Sequence, residues 1–292
     1  MKLIKKENLG WHTITTVLSL KFKTRIKPKK VDTLNLIFEE IQGIGNRIFG
    51  LMNSLNYFSP NKVNLYWLNE GWVSAKFSEL FIFKDDNIIF TENSKKIKFE
   101  EVENIKNSFS LYIPPCNLKT KNNVNLGLQF DKIQEIDKAE YRILFSKLKP
   151  SEEVQKRINE TKIPEKYISL QIRNAPDWED FGRNEQIEHF ITKMKEYPVG
   201  TKFYISSMSK EITNIIRKNS GFEIFELNNK NYKSMIDAVA DVYLLANGEE
   251  LICSYGSTFA ELAWWLGGAK QTATVIGDES KWNNKHINMK FK

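Results

Sequence analysis

From Pro150 to Leu266, short apolar runs alternate with longer stretches of helical periodicity, and no other feature of this sequence narrows the possible folds as much. A charged helix is expected over 151–160, then a strand over 167–172, a helix over 185–196 and a strand over 202–206. The rhythm continues with a helix over 210–218, a strand over 223–227, a helix over 234–245, a strand over 250–253 and a glycine-serine turn entering a helix over 259–266. A helix between two strands returns the chain to the edge it started from, so such strands lie parallel and the pattern predicts a doubly wound sheet. Ligands of these sheets sit beyond the carboxyl ends of the strands, which directs the search for chemistry to the loops that follow strands.

The first half opens similarly. A short buried strand is expected over 31–40, then the turn Gly43-Ile44-Gly45-Asn46-Arg47, an apolar helix over 48–58 and a strand over 63–68. Phe77, Leu80, Phe81 and Phe83 form an aromatic patch; the polar stretch 84–125 holds short β-like runs at 87–90 and 110–113 and is assigned no chemistry. At 292 residues the chain is near the size at which one core gives way to two. The division expected is a basic arm over 1–30, a first Rossmann-like domain over 31–149 and a second over 150–292. Cys116 and Cys253 form no CxxC pair, so neither a disulfide framework nor a zinc site is read, and a reducing, cytoplasmic setting is expected.

The formal charge of +7 belongs to the arm. Residues 1–30 carry nine Lys/Arg against Glu7, a net of +8, and the remaining 34 Lys/Arg against 35 Asp/Glu leave −1. A nucleic-acid-binding body would show a basic face, so nucleic acid is excluded as a partner. The stretch Leu9 to Leu20 is too short and polar to span a bilayer and has no secretory cleavage site. At helical spacing Ile14, Val17, Leu18, Phe22 and Ile26 share a face beside Trp11, as in an interfacial helix; at period two Leu18, Leu20, Phe22, Thr24 and Ile26 alternate with polar residues, as in a strand. The helix is preferred, with an anionic membrane at the inner face of the cell as partner, and a solvated extension stands as the alternative.

Three post-strand loops carry candidate chemistry. In Gly43-Ile44-Gly45-Asn46-Arg47, glycines permit close backbone approach and the helix start favours an anion. Ile48 replaces the third glycine of a dinucleotide fingerprint, although Glu70 mimics its ribose-binding acid, and a turn role alone also serves Gly43 and Gly45. The second loop, Gln171-Ile172-Arg173-Asn174-Ala175-Pro176-Asp177-Trp178-Glu179-Asp180, delivers an arginine from a strand end, suited to gripping a pyrophosphate bidentately, with acids that serve equally as a solvated surface. The third, Cys253-Ser254-Tyr255-Gly256-Ser257-Thr258, offers hydroxyl and backbone donors at a helix start, where Ser257 or Thr258 also suits an N-cap. His12, His189 and His286 show no metal spacing and are read as structural, and Trp264 and Trp265 are read as core.

Together, Gly43-Ile44-Gly45-Asn46-Arg47 with Ala75-Lys76-Phe77-Ser78-Glu79-Leu80-Phe81, and Leu148-Lys149-Pro150-Ser151 with Gln171-Ile172-Arg173 and the segment from Asp241 to Glu261, resemble the fucosyltransferase superfamily of nodulation, core α1,6- and protein O-fucosyltransferases. The resemblance covers most of the chain from about residue 31. It implies an α/β GT-B fold, two Rossmann-like domains facing a cleft, and inverting transfer from a GDP-sugar without metal or other cofactor. Arg173 matches the arginine that binds the donor pyrophosphate, and Asp241 the aspartate that reads guanine. Ser257 and Thr258 match the phosphate-binding pair, and Asn46, flanked by Gly45 and Arg47, the amide that reaches the donor. Gln171 replaces the family's histidine, Met208-Ser209 replaces its acids after the next strand, and the acid after the arginine is displaced to Asp177, leaving Asp177, Glu179 or Asp180 as the base. The acceptor implied is a glycan or lipid-linked glycan. A non-catalytic glycan-binding or membrane-surface protein, and then a nicotinamide-dependent enzyme, are the competing readings.

Overall fold

The computed structural model describes residues 4–9, 12–17, 20–25, 28–38, 40, 42–113, 135–173, 186–254 and 256–276, with side chains from residue 28 onward outside a few element ends. Contacts divide the chain into a first unit, Met1–Lys76 with Asp85–Leu126, and a second, Phe77–Lys84 with Gly127–Lys292.

In the first unit the arm is not the expected helix. It forms strands β1 (Ile4–Leu9), β2 (His12–Val17) and β3 (Leu20–Arg25), paired antiparallel in that order. The physical reason is composition: Thr13, Ile14, Thr15, Thr16 and Val17 are all β-branched, and χ1 restriction disfavours such a run in a helix and favours it in a pleated strand.

The body of this unit is a four-stranded parallel sheet in the order β7-β5-β4-β8: β4 is Lys29–Phe38, β5 Phe58–Tyr66, β7 Ile89–Asn93 and β8 Ser108–Ile113. Helix α1 (Ile44–Tyr57) crosses from β4 to β5, and α3 (Phe99–Glu103) precedes β8. Ile48, Phe49, Leu51 and Met52 of α1 are fully buried, as are Leu34 and Leu36 of β4, so this helix and strand form the core. Inside the sheet Asn64 Nδ2 donates to Asn35 Oδ1 at 2.8 Å and Asn35 Nδ2 to Ser110 Oγ at 3.2 Å, satisfying a polar row that would otherwise be costly to bury.

The second unit holds the predicted parallel sheet with one further strand, β14, that the sequence left unassigned, in the order β12-β11-β10-β13-β14: β10 is Ile168–Ile172, β11 Lys202–Ser207, β12 Glu223–Phe225, β13 Glu250–Ser254 and β14 Thr272–Ile276. Its helices are α5 (Glu152–Asn159), α6 (Gln186–Met194), α7 (Lys210–Ser220), α8 (Met235–Ala246) and α9 (Thr258–Leu266). The segment Phe77–Lys84, early in sequence, belongs here: α2 (Phe77–Leu80) leads into β6 (Phe81–Phe83), which pairs antiparallel with β9 (Leu148–Pro150). Its aromatic patch is thereby buried at Phe77 and Phe81. The helix α4 (Glu135–Ser146), unassigned from the sequence, stacks Phe145 on Trp265 with centroids 5.3 Å apart and rings 7° from parallel, which places both tryptophans of α9 in the core. Among the described residues no helix is long and apolar enough to cross a membrane.

Candidate functional site

The second sheet reverses direction of growth at β10: the chain adds β11 and β12 on one side, then β13 and β14 on the other. The crevice of such a sheet opens beyond the carboxyl ends of the two strands flanking the switch, here β10 and β13. Arg173 is the residue that leaves β10, and its N–H donates to Ser254 Oγ, the last residue of β13, at 2.8 Å. The two strand ends are thus tied together. Partial burial of Arg173 lowers its pKa through desolvation.

The loop beyond Ser254 turns through Gly256, whose φ of 70° is left-handed, into Ser257. Ser257 is the N-cap of α9: its Oγ accepts from Ala260 N at 3.2 Å. Its oxygen serves the helix as acceptor and its O–H remains a donor, while first-turn N–H groups, which lack intrahelical partners, and the half-buried Thr258 sit at the same end. Gln171, 4% exposed near the end of β10, has an Oε1 with no hydrogen-bond partner among the described residues. A buried acceptor left unmet costs about 1–3 kcal/mol, so this one stands where a donor from a ligand would relieve it.

Asp241 is placed differently from the expected guanine reader. It is 1% exposed, its Oδ1 accepts from Tyr204 Oη at 2.5 Å, and its Oδ2 accepts from Ser206 Oγ and from Lys230 Nζ, each at 2.6 Å. Lys230 also donates to Ser207 O at 2.9 Å and lies over the Tyr232 ring. A buried carboxylate must be neutralised and hydrogen-bonded, and three donors from β11 and the loop after β12 do both, so the carboxylate is an internal anchor between α8 and β11. Burial first, then Asp241, holds the Tyr204 phenol well above its usual pKa, which keeps it a donor.

In the first unit α1 begins at Ile44, four residues before the expected helix, with Gly43 as its N-cap. Asn46 is half-buried on the first turn, and its amide meets no partner among the described residues; Gly45 is buried beside it. Arg47 corrects the expectation of a donor contact. It is 0% exposed, its Nε donates to Gln42 O at 3.1 Å, its Nη1 donates to Leu68 O, and its guanidinium lies 5.0 Å from the Trp67 ring centroid. Burial lowers its pKa to about 10. It fastens the loops after β4 and β5 to one another because a cation this deep must give its donors to nearby carbonyls.

Asp177, Glu179 and Asp180 lie outside the described residues. Sequence reasoning did not single out Lys230, whose role no local pattern signals, or the bond from Arg173 to Ser254, which was detectable only as two strand ends in one sheet. Among the described residues no three His, Cys, Asp or Glu side chains gather as a metal site.

No protein-family model and no curated protein matches the chain. Solved structures do. The fucosyltransferase NodZ from Bradyrhizobium aligns over 80% of this chain and 92% of its own at 14% identity with a TM-score of 0.52. A structure of NodZ alpha-1,6-fucosyltransferase soaked with GDP-fucose aligns over the same shares at 13% identity and 0.53. A mutant of Arabidopsis thaliana FUT1 in complex with GDP aligns over 87% of this chain and 72% of its own, at 13% identity and 0.53. The fold is therefore the fucosyltransferase-like GT-B fold.

Proposed function

We propose, from a fold shared with fucosyltransferases that were solved with GDP or GDP-fucose, that this chain is a glycosyltransferase using a GDP-sugar and a glycan or lipid-linked glycan acceptor. Fucose as the sugar, inversion at the anomeric carbon and independence of a metal belong to the same proposal. The observation that carries it is Arg173, partly buried at the switch point of the second sheet, backbone-tied to Ser254 and beside the start of α9.

Breaking a glycosyl–phosphate bond builds positive charge on the sugar ring and negative charge on the departing diphosphate. The Arg173 fork and the first-turn N–H groups of α9 stabilise that anion without needing to reorganise. Thr258 adds a hydroxyl, and Gln171 accepts from a hydroxyl of the sugar nucleotide. The acceptor hydroxyl attacks the opposite face, with Asp177, Glu179 or Asp180 as base.

A thermal-shift panel of GDP, UDP, CMP and NAD tests the donor class. GDP at about a hundred times its Kd adds about 2.7 kcal/mol of stability and raises Tm by a few degrees, and the other three leave it unchanged. A response to NAD alone would return the nicotinamide reading. The non-catalytic reading rests on the loop after β11, where Met208 is exposed and Ser209 caps α7 through Ile212 N at 3.3 Å, leaving no acid there. Measurable transfer or hydrolysis of a GDP-sugar removes that reading.

The arm, with its net +8, is proposed to hold the protein at an anionic membrane on the cytoplasmic side. Each basic residue near such a surface contributes about 1 kcal/mol at moderate salt, whereas the body, at −1, contributes nothing of that sign. Removing residues 1–30 leaves transfer to a soluble acceptor intact and weakens cosedimentation with phosphatidylserine vesicles. Equal sedimentation of full and shortened proteins refutes the membrane role.

A further inference from the structure

The first unit carries a cavity of about 580 Å³ at the carboxyl edge of its sheet, lined by the loops that leave β4, β5 and β7. Its place and volume are those of a small-molecule site. Phe38, Tyr66 and Phe99 supply aromatic walls. The Tyr66 hydroxyl meets no partner among the described residues, and burial raises its pKa.

Three lysines lie along the loop after β7. Lys96 Nζ stands 3.9 Å from Glu40, a loose pair, whereas Lys95 and Lys98 have no acidic partner among the described residues and outnumber Glu100, the remaining acid of the lining. Beside the rim, Trp72 is 50% exposed, and its backbone N–H donates to Glu40 O at 3.0 Å. The turn that presents it is tight: Gly71 has φ of 68°, and a Cβ there would stand 2.5 Å from Glu40 O. An indole held half in water offers a flat apolar face to a ligand.

Aromatic faces suit the C–H surfaces of a sugar ring, and a phenol and a loose ion pair suit its hydroxyls, which donate and accept. Lys95 and Lys98 then call for one anionic group on that ring. A polyphosphate would be repelled by Glu40 and Glu100, and an apolar ligand would strand every charge in the lining. We propose that this cavity binds an acidic saccharide, a ring of uronic-acid type recognised through its carboxylate by Lys95 and Lys98. Only its role as the acceptor rests on the transferase reading above.

The full chain, isotope-labelled, is titrated by NMR with methyl glucuronide and with methyl glucoside, which differ only in the carboxylate. The glucuronide shifts the Trp72 indole and the backbone of 94–98, with a Kd at least about tenfold below that of the glucoside at about 50 mM salt. The ratio falls to about one in the Lys95→Ala/Lys98→Ala variant and at about 0.5 M salt, while Trp72→Ala weakens both sugars alike. The inference is overturned if the glucuronide causes no shift there, if both sugars bind equally, if the double variant keeps the ratio, or if inorganic phosphate competes as well as the glucuronide. All three positions are exposed, so the variants keep the wild-type Tm. GDP melting shifts on the same samples separate the two readings. A GDP response without a sugar response removes this inference alone, and a sugar response without a GDP response removes the GDP-sugar donor and leaves the site.

Discussion

Replacing Arg173 by alanine lowers sugar transfer by about a hundredfold to a thousandfold, the usual effect of deleting one preorganised donor to a developing anion. The loss falls on turnover, since the negative charge on the leaving group is greatest in the transition state. The tie between β10 and β13 uses the backbone N–H of residue 173 and Ser254 Oγ, so it survives the substitution and the protein melts where the wild type does. Arg173→Lys recovers little, because an ammonium is a point charge and cannot reproduce the two-pronged guanidinium. Single-turnover assays with a GDP-sugar check both variants, and near wild-type turnover in Arg173→Ala would remove this residue from the mechanism.

Asp241→Ala has its largest effect on stability. The substitution strands the Lys230 ammonium, only 7% exposed, together with the Tyr204 and Ser206 hydroxyls. Removing one partner of a buried ion pair costs about 3–5 kcal/mol, a large part of the 5–15 kcal/mol that holds a typical protein folded. Denaturant melts measure that loss. An Asp241→Asn/Lys230→Met double variant regains most of it, since the remaining groups are neutral. Nucleotide preference is the discriminating readout: the ratio of GDP to ADP dissociation constants in the double variant equals that of the wild type. A ratio that collapses while the fold holds would return guanine reading to Asp241.

These two residues show how differently a site can be legible. Arg173 was found because a local pattern, an apolar strand ending in a cation, reports where a parallel sheet delivers a side chain. Asp241 was found by the resemblance, at its spacing from Ser257, yet what its carboxylate does depends on Tyr204, Ser206 and Lys230 from other elements. Arg47 repeats the lesson: the glycine turn and the helix after it were legible, but the inward direction of the guanidinium follows from the carbonyls of Gln42 and Leu68, and Leu68 lies beyond the helix.

The sequence by itself determined the order of strands and helices from Pro150 to Leu266 and four of the five strands of the parallel sheet, because hydrophobic periodicity is a local property that each segment carries alone. It also determined where the charge lies, since a net +8 in residues 1–30 is a matter of counting. Tertiary structure alone decided three things. The arm pairs as β1-β2-β3, because its β-branched run disfavours a helix and only neighbouring strands then supply the backbone hydrogen bonds. The aromatic segment Phe77–Lys84 joins the second unit, because β6 finds its partner in β9, far along the chain. Asp241 and Arg47 turn inward, because a buried charge takes whatever donors or acceptors the surrounding fold brings within about 3 Å, and those come from residues that the local sequence does not name.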